Sequence, residues 1–485
     1  MALTKAHARM IDGSAASVVD FGADITGVSD STSAVQAALD TGNNIFFPKG
    51  AYKVTNATVN SACIIDLQGS TIIGESGSEN FCFNVETDHV TIQNGFFGSG
   101  SESCGIVQVG NSTTWPQYKN FNLFNVYSDL AITNDKGACA LLNAIQPSVT
   151  QCTFIHSGGT NTDNMAVRIG IPVSSDLNNF LNVNISENMF DGYDHASRNY
   201  SSGYYSGFIF SNNTVQNAGR GLSTYHGHSS IVSDNTFIST SDVTYLWQRT
   251  NATGNEWRRA SGAAAVKIET NEGNFSNNVI KEATNAGVII DGGASPMLFA
   301  NNYFHNCGTH AIYVNPAYSY GGQLNSLRIE GNFVYGCGGS GIFVDADANI
   351  RSLFITGNHI VGAGLDNATQ QPTILLDFKT HFADRTVIKD NVLSESDVVF
   401  GITGNSDYGI YIDSDNVDIS YWITENYIAA DLPNPITDIR TAGGGYRLIL
   451  RNLVSDVTAI DAVRGTGAIA GNYDVEGGTS PDAPS

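Results

Sequence analysis

The chain has 485 residues with 51 glycines, 11 prolines and 14 % charged side chains, a turn-rich composition that excludes a mainly helical or a disordered protein. Its net charge of −23 supplies no overall basic surface for a nucleic-acid backbone, so no nucleic-acid partner is expected and the acidity reads as solubility. No apolar run reaches the length of a membrane span, so no membrane insertion is expected.

Residues 1–17 include MALTKAHARMIDGSAAS, which lacks the apolar centre of a signal peptide and predicts a short amphipathic helix or linker. Residues 18–54 form an N-terminal cap. Ser31 or Thr32 can start a short helix through Leu39, which Gly42 ends, and such a helix would cover the open edge of a first coil.

A repeat then governs residues 55–455. Ten segments read apolar-x-x-Asn-x-apolar, at Asn188, Asn213, Asn235, Asn278, Asn302, Asn332, Asn358, Asn391, Asn426 and Asn452. Three earlier segments fit with Gly95, Phe124 and Cys152 at the Asn position. Most steps lie between 22 and 36 residues, the length of one coil in a three-sided solenoid. Alternating apolar and polar residues give half-buried strands. Asn suits the bend between them, because it tolerates left-handed backbone and can stack its amide on the next coil's. The expected fold is therefore all-β: a right-handed, single-stranded parallel β-helix with a short N-terminal capping helix.

A second strand recurs about 13 residues after many of these asparagines, as in AVKIE, GVIID, AIYVN, GIFVD, TILLD and GIYID. Residues two apart share a face. Lys267 and Glu269 should therefore point outward, as should Ile289 with Asp291, Tyr313 with Asn315, Phe343 with Asp345, Leu375 with Asp377 and Tyr411 with Asp413. Cys307 and Cys337 occupy matching places and should stack in adjacent coils. Seven cysteines without a CxxC pair predict buried free thiols, formed in a reducing compartment, rather than disulfides or zinc ligands. The step from Asn235 to Asn278 is 43 residues, which predicts an inserted loop over 236–264. Beyond Asn452 the pattern decays, and residues 456–485 read as a C-terminal end and tail.

The front segment carries a resemblance. Asp20-Phe21-Gly22-Ala23, Asp30, the helix through Ala34-Val35-Gln36-Ala37-Ala38-Leu39, and Phe47-Pro48-Lys49-Gly50-Ala51-Tyr52 closely resemble the opening motif of pectate-lyase-like β-helix proteins of bacteriophage tailspikes. Residues 2–11 look like the connector that joins such a spike to its virion-attachment part. The resemblance covers residues 2–54 by motif and the rest by repeat pattern. It implies a homotrimer, carried on a phage tail or baseplate and folded in the bacterial cytoplasm. It also implies a partner, a bacterial surface polysaccharide such as O-antigen or capsule, that the spike binds and cleaves at the host surface.

Glycoside hydrolysis needs two carboxyl groups. The outward column offers Glu269 beside Asp291, one strand spacing of about 4.8 Å apart. It also offers Asp291 and Asp345, about 9–10 Å apart. These three are the candidate catalytic residues. Tyr225, His226, Trp247, Arg249, Trp257, Lys267, Tyr313 and Phe343 are candidate substrate-binding residues. The basic group Lys267, Arg249, Arg258, Arg259 and Arg220 could hold an anionic sugar or pair with local acids. His226-x-His228 lacks a third ligand, and neither metal nor cofactor is expected. Three readings follow: an endo-glycosidase using Glu269 with Asp291 or Asp345; a lyase in which Lys267, His226 or Tyr225 abstracts a proton beside a uronate; and a spike that binds glycan without cutting it.

Overall fold

The computed structural model describes residues 14–75, 80–99, 104–110, 117–131, 137–142, 144–157, 164–170, 182–199, 205–224, 227–247, 249–269, 272–291, 297–315, 325–345, 350–364, 371–377, 385–397, 402–403, 408–413, 420–429, 432, 434–438, 447–454, 467–470 and 473–474. They divide into two compact units, Met1–Ile238 and Ser239–Ser485. In both, short strands pair in parallel with the strand one coil further on.

In the first unit one column runs through Asn184–Ser186, Ile209–Ser211 and Ile231–Ser233, and a second through Met189–Asp191, Thr214–Gln216 and Thr236–Ile238. A third column holds Met165–Ile169, His195–Asn199 and Gly221–Ser223. The second unit repeats the plan with Leu327–Glu330, Ser352–Thr356 and Arg385–Lys389, with Phe333–Cys337, His359–Val361 and Val392–Ser394, and with Ile342–Val344, Ile374–Asp377 and Tyr408–Asp413. This is a parallel β-helix. Its core is built from the inward residue of each short strand, and aromatic rings stack there coil on coil, such as Trp257, Phe275 and Phe299.

The repeated asparagines form buried ladders. Asn188 donates its amide to Asn213, and Asn213 to Asn235. In the second unit the ladder runs from Asn255 through Asn278, Asn302, Asn332, Asn358, Asn391 and Asn426 to Asn452, with amide bonds of 2.9–3.1 Å. Each Oδ1 also accepts the backbone N–H of the Asn one coil earlier, as Asn332 does from Asn302. The same amides donate to a backbone carbonyl, as Asn332 does to Phe299. Buried turns thereby satisfy backbone groups that water cannot reach.

Three expectations are corrected here. The left-handed residue is not the ladder asparagine but the one before it: Glu187, Asn212, Asp234, Asn277, Asn301, Gly331, Gly357, Asp390, Glu425 and Arg451 all have positive φ. That bend swings the following side chain inward, which is why Asn serves as a core residue and not as a turn former. Among the early rungs, Gly95 pairs with Val126 and not with Phe124, whose side chain lies outward of the buried Leu123 and Val126. Finally, residues 236–264 are not an inserted loop. They form strands Thr236–Ile238, Thr244–Trp247, Asn251–Thr253 and Glu256–Arg258, with Asn255 as a ladder residue. The long step is two coils, the second marked by Ala252-x-x-Asn255-x-Trp257.

The helix Thr32–Leu39 forms and buries Val35, Ala38 and Leu39. Its start differs from the expectation: Ser31 makes no capping bond, and the Asp30 carboxylate accepts the Thr32 N–H and hydroxyl instead. Gln36 exchanges two hydrogen bonds with the backbone of Thr58 in strand Ala57–Val59, where a neighbouring strand's backbone would otherwise bond. All seven cysteines are buried thiols outside any disulfide, and Cys307 and Cys337 lie in register on neighbouring strands. Burial pushes the thiols up, to about 11 at Cys63 and about 12 at Cys152 and Cys337. The expected connector and tail lie almost wholly outside the described residues.

Candidate functional site

The third strand column of the second unit alternates as the sequence predicts. In Ala264–Glu269, Val266 and Ile268 are buried while Lys267 and Glu269 reach the outer face. Pairing is in register, so outward residues stack. One file runs Tyr245, Lys267, Ile289, Tyr313, Phe343, Leu375 and Tyr411. Beside it run Trp247 and Glu269, followed at successive strand ends by Asp291, Asn315 and Asp345, each held by its N–H to the coil before.

Lys267 stands between two carboxylates. Its Nζ lies 2.7 Å from Glu269 Oε1 and 2.7 Å from Asp291 Oδ2. Two oxygens within that reach of one nitrogen lie no more than twice that distance apart. All three side chains are largely sheltered, Asp291 most of all at 7 % exposure, and Asp291 Oδ1 is buried with no hydrogen-bond partner among the described residues. Burial alone would lower the Lys267 ammonium. Hydrogen bonds to Asp291 and Glu269, with their charge, outweigh it and hold the lysine above its ordinary range. The ammonium also lies 5.7 Å from the Tyr245 ring centroid.

Two coils on from Asp291, the Tyr313 hydroxyl donates to Asp345 Oδ2. The Tyr313 and Phe343 rings stack 5.2 Å apart. His310 packs against both, at 5.6 and 4.8 Å. Its Nδ1 accepts the Ser340 N–H at 3.0 Å, which leaves the proton of the neutral ring on Nε2. A Cβ on Gly339 would meet that ring at 2.7 Å, so glycine there makes room for the histidine. Burial pulls His310 down to about 4, against the Ser340 bond and the Asp345 charge, which both raise it.

The structure therefore groups Glu269, Asp291, Lys267 and Trp247 in one cluster, and Asp345, Tyr313 and Phe343 in a second on the same face. Other candidates fall elsewhere. Trp257 is fully buried and bonds Thr244 through its indole N–H, so it is a core residue and not a sugar platform; its place as the inward residue of a ladder coil explains this. Of the two alternatives for the basic group, the arginines of the second unit take the pairing with local acids. Arg249 and Arg259 occupy left-handed turns and pair with Glu272 and Glu282, while Arg258 pairs with Glu256. Arg220 belongs to the first unit. Tyr225 and His226 lie outside the described residues. The sequence did not single out Tyr245, hidden in the presumed loop, or His310, which no repeat marks. Among the described residues no group of three or more His, Cys, Asp or Glu is arranged to hold a metal ion, and no helix is long and apolar enough to cross a membrane.

No curated protein sequence matches the chain. Among solved structures, the tailspike protein of E. coli bacteriophage HK620 in complex with pentasaccharide is similar over 88 % of this chain and 78 % of that one, at 12 % identity and a TM-score of 0.49. The Streptococcus pneumoniae surface adhesin PfbA is similar over 90 % and 92 %, at 13 % identity and a TM-score of 0.40. The A-module of the Azotobacter vinelandii mannuronan C-5 epimerase AlgE6 is similar over 94 % and 99 %, at 15 % and 0.32. Residues 15–245 match the family described as rhamnogalacturonase A/epimerase, pectate lyase-like, and residues 245–378 match the right handed beta helix region. The first match carries the pectate-lyase-like resemblance that the opening motif suggested, and the second describes residues 245–378 as a right-handed β-helix.

Proposed function

We propose that the chain is a tailspike-type depolymerase that binds a bacterial surface polysaccharide and hydrolyses it internally at the face around Glu269 and Asp291. The resemblance supplies the setting: a homotrimer on a phage tail or baseplate, acting at the host surface. The observation that carries the reaction is the pair of sheltered carboxylates bridged by one ammonium. Hydrolysis needs one carboxyl to give a proton and a second to act as nucleophile, and this pair supplies two within reach of one sugar. One carboxyl protonates the leaving oxygen while the other attacks the anomeric carbon to form a glycosyl-enzyme; water, giving a proton back to the first, then displaces the second and releases the sugar. The short spacing fits the roughly 5–5.5 Å of a retaining enzyme better than the wider inverting gap. Tyr245, Trp247, Tyr313 and Phe343 give apolar faces for sugar rings along this strand face.

A lyase using Lys267 as base fits less well, because the two carboxylates hold its proton and leave no lone pair for abstraction. Incubation with purified surface polysaccharides of candidate hosts distinguishes the readings. New reducing ends without the absorbance of an unsaturated sugar are expected. That absorbance would overturn hydrolysis, and no product from any host glycan would favour a non-cleaving binder. Glu269→Gln and Asp291→Asn should each lower cleavage by about 10²–10⁴-fold with the circular dichroism unchanged; full activity in both would refute this site.

A further inference from the structure

We propose that a groove in the first unit, beside Phe96 and Tyr127, is a second glycan site, one that binds neutral sugar units and takes no part in cleavage. Both residues follow the ladder place, in strands Thr91–Ser99 and Asn122–Asp129, and they pair in register on neighbouring coils. Phe96 is 46 % exposed and Tyr127 38 %. Their ring centroids lie 5.7 Å apart with the planes at 54°. The file continues into Thr71 on one side and Thr153 on the other, so the rings form a shelf with threonine at both ends. Two large rings left side by side in water call for a ligand that covers them.

A row of amides runs beside this shelf. Asn94, Asn125 and Gln151 take the left-handed turns just before the ladder place, and with the rings they line a groove of about 380 Å³. Carboxylates, which only accept, fix the direction of the amides. Asn94 gives an amide N–H to Asp66 at 3.2 Å, which turns its Oδ1 to accept from Asn125 at 2.8 Å. Gln151 gives an N–H to Glu187 at 2.9 Å. Each amide thus spends an N–H on the protein, while Asn125 Oδ1 and Gln151 Oε1 receive no hydrogen bond among the described residues. Rings at the same place in the second unit, such as Phe333 and Tyr427, stand beside Gly331 and Glu425 at the turn and so lack this amide edge.

That pattern selects the ligand. Outward carbonyl oxygens suit hydroxyl donors and oppose carboxylates and phosphates, which have no proton to give. Among the described residues no Lys or Arg lines the groove, and a chain of net charge −23 offers little to offset an anionic sugar. An apolar protein segment would cover the rings but leave the amide oxygens unpaired. A neutral pyranose satisfies both edges, with its C–H face on a ring and its hydroxyls on the amides. The volume sits at the lower end of the roughly 300–1,000 Å³ of small-molecule sites, suited to a short stretch of glycan. The groove shares no residue with the face at Glu269. The choice of ligand rests on the groove's own groups and stands whether or not that face cleaves.

Saturation-transfer NMR titrations of the full chain test this. The probes are neutral glucan, galactan and N-acetylhexosamine oligosaccharides, with a uronate oligosaccharide of the same length for comparison. The chain carries Trp247→Ala/Phe343→Ala, which strips the rings from the other face. At least one neutral probe should still bind, and more tightly than the uronate. Adding Phe96→Thr/Tyr127→Thr, which extends the flanking threonines and should leave the circular dichroism unchanged, should weaken that binding by about tenfold or more. Gln151→Leu, which keeps both rings, should weaken it as well. Absence of binding by every neutral probe would overturn the proposal, as would equal binding of the uronate. Unchanged binding in the Phe96/Tyr127 variant would overturn it too and assign the rings to a protein contact. Reducing ends released by the otherwise unaltered chain are read separately, so failure of this site and failure of the Glu269 face are distinguishable.

Discussion

Lys267 decides the state of the residues around it. Removing it as Lys267→Met leaves Glu269 and Asp291 as like charges in a sheltered site, so both stability and cleavage should fall, stability by about 3 kcal/mol. The sign of its pH dependence follows from its raised folded value. The stabilisation is fully present below the ordinary lysine value of about 10.4 and fades only at more alkaline pH. The difference in stability between wild type and variant should therefore stay level from neutral pH to about 10 and then shrink. Denaturant titrations across that range check it, and a gap that widens at alkaline pH would refute the ion pair. His310 has the opposite sign. Its folded value of about 4 lies below the unfolded one of about 6.5, so its neutral form stabilises the fold above pH 6.5 and loses roughly 3 kcal/mol as pH falls to 4. His310→Gln should flatten the acid limb of the stability curve; an unchanged limb would show that the ring is solvated. The alternation of Val266, Lys267, Ile268 and Glu269 was legible because strand period alone sets it. His310 was not, because its place depends on Ser340, Gly339 and Phe343, about 30 residues away and in the next coil.

At the level of the coil, the Asn ladder carries direction. Each Oδ1 serves the backbone and amide of the coil before it, so the coil at the N-terminal end of a ladder needs no asparagine. Cys152 holds that place in the first unit, giving its N–H to Asn188 Oδ1. An interior rung has no such freedom. Asn332→Leu removes the acceptor for both Asn302 donors and the donor to Phe299 and Asn358. Leaving such buried groups unpaired costs about 1–3 kcal/mol each, so a loss of roughly 2–4 kcal/mol is expected after relaxation. Urea unfolding reads this directly, and a midpoint equal to wild type would mean that the ladder is decoration. The repeat was visible in sequence because one residue type recurred at one phase. Its role was misread, because whether a side chain turns in or out at a bend depends on the φ of its neighbour. Asn255 escaped notice for a related reason: the inward residue before it is the small Ala252, and three charged residues, Glu256, Arg258 and Arg259, surround Trp257.

Across the whole molecule the balance of charge is lopsided, and the solenoid gives that imbalance a shape. Asp377 and Asp413 stand in register on adjoining strands, continuing the line that includes Asp345. Like charges about 4.8 Å apart repel by about 1 kcal/mol in water before screening. Against them stand exposed ion pairs such as Arg249–Glu272, Arg259–Glu282 and Lys389–Glu425. Each of those contributes about 0–1 kcal/mol and weakens with salt as well. With twice as many acids as bases, repulsive pairs outnumber attractive ones, so screening should favour the folded chain on balance. Raising salt from a few millimolar to about 0.15 M, where the Debye length falls to about 8 Å, should raise the melting temperature by several degrees. Calorimetry in sodium chloride tests this, with an uncharged osmolyte at matched osmolality as control. A melting temperature that falls with salt would mean that the exposed ion pairs outweigh the acidic column, and the column would then have to be held by partners that neutralise it.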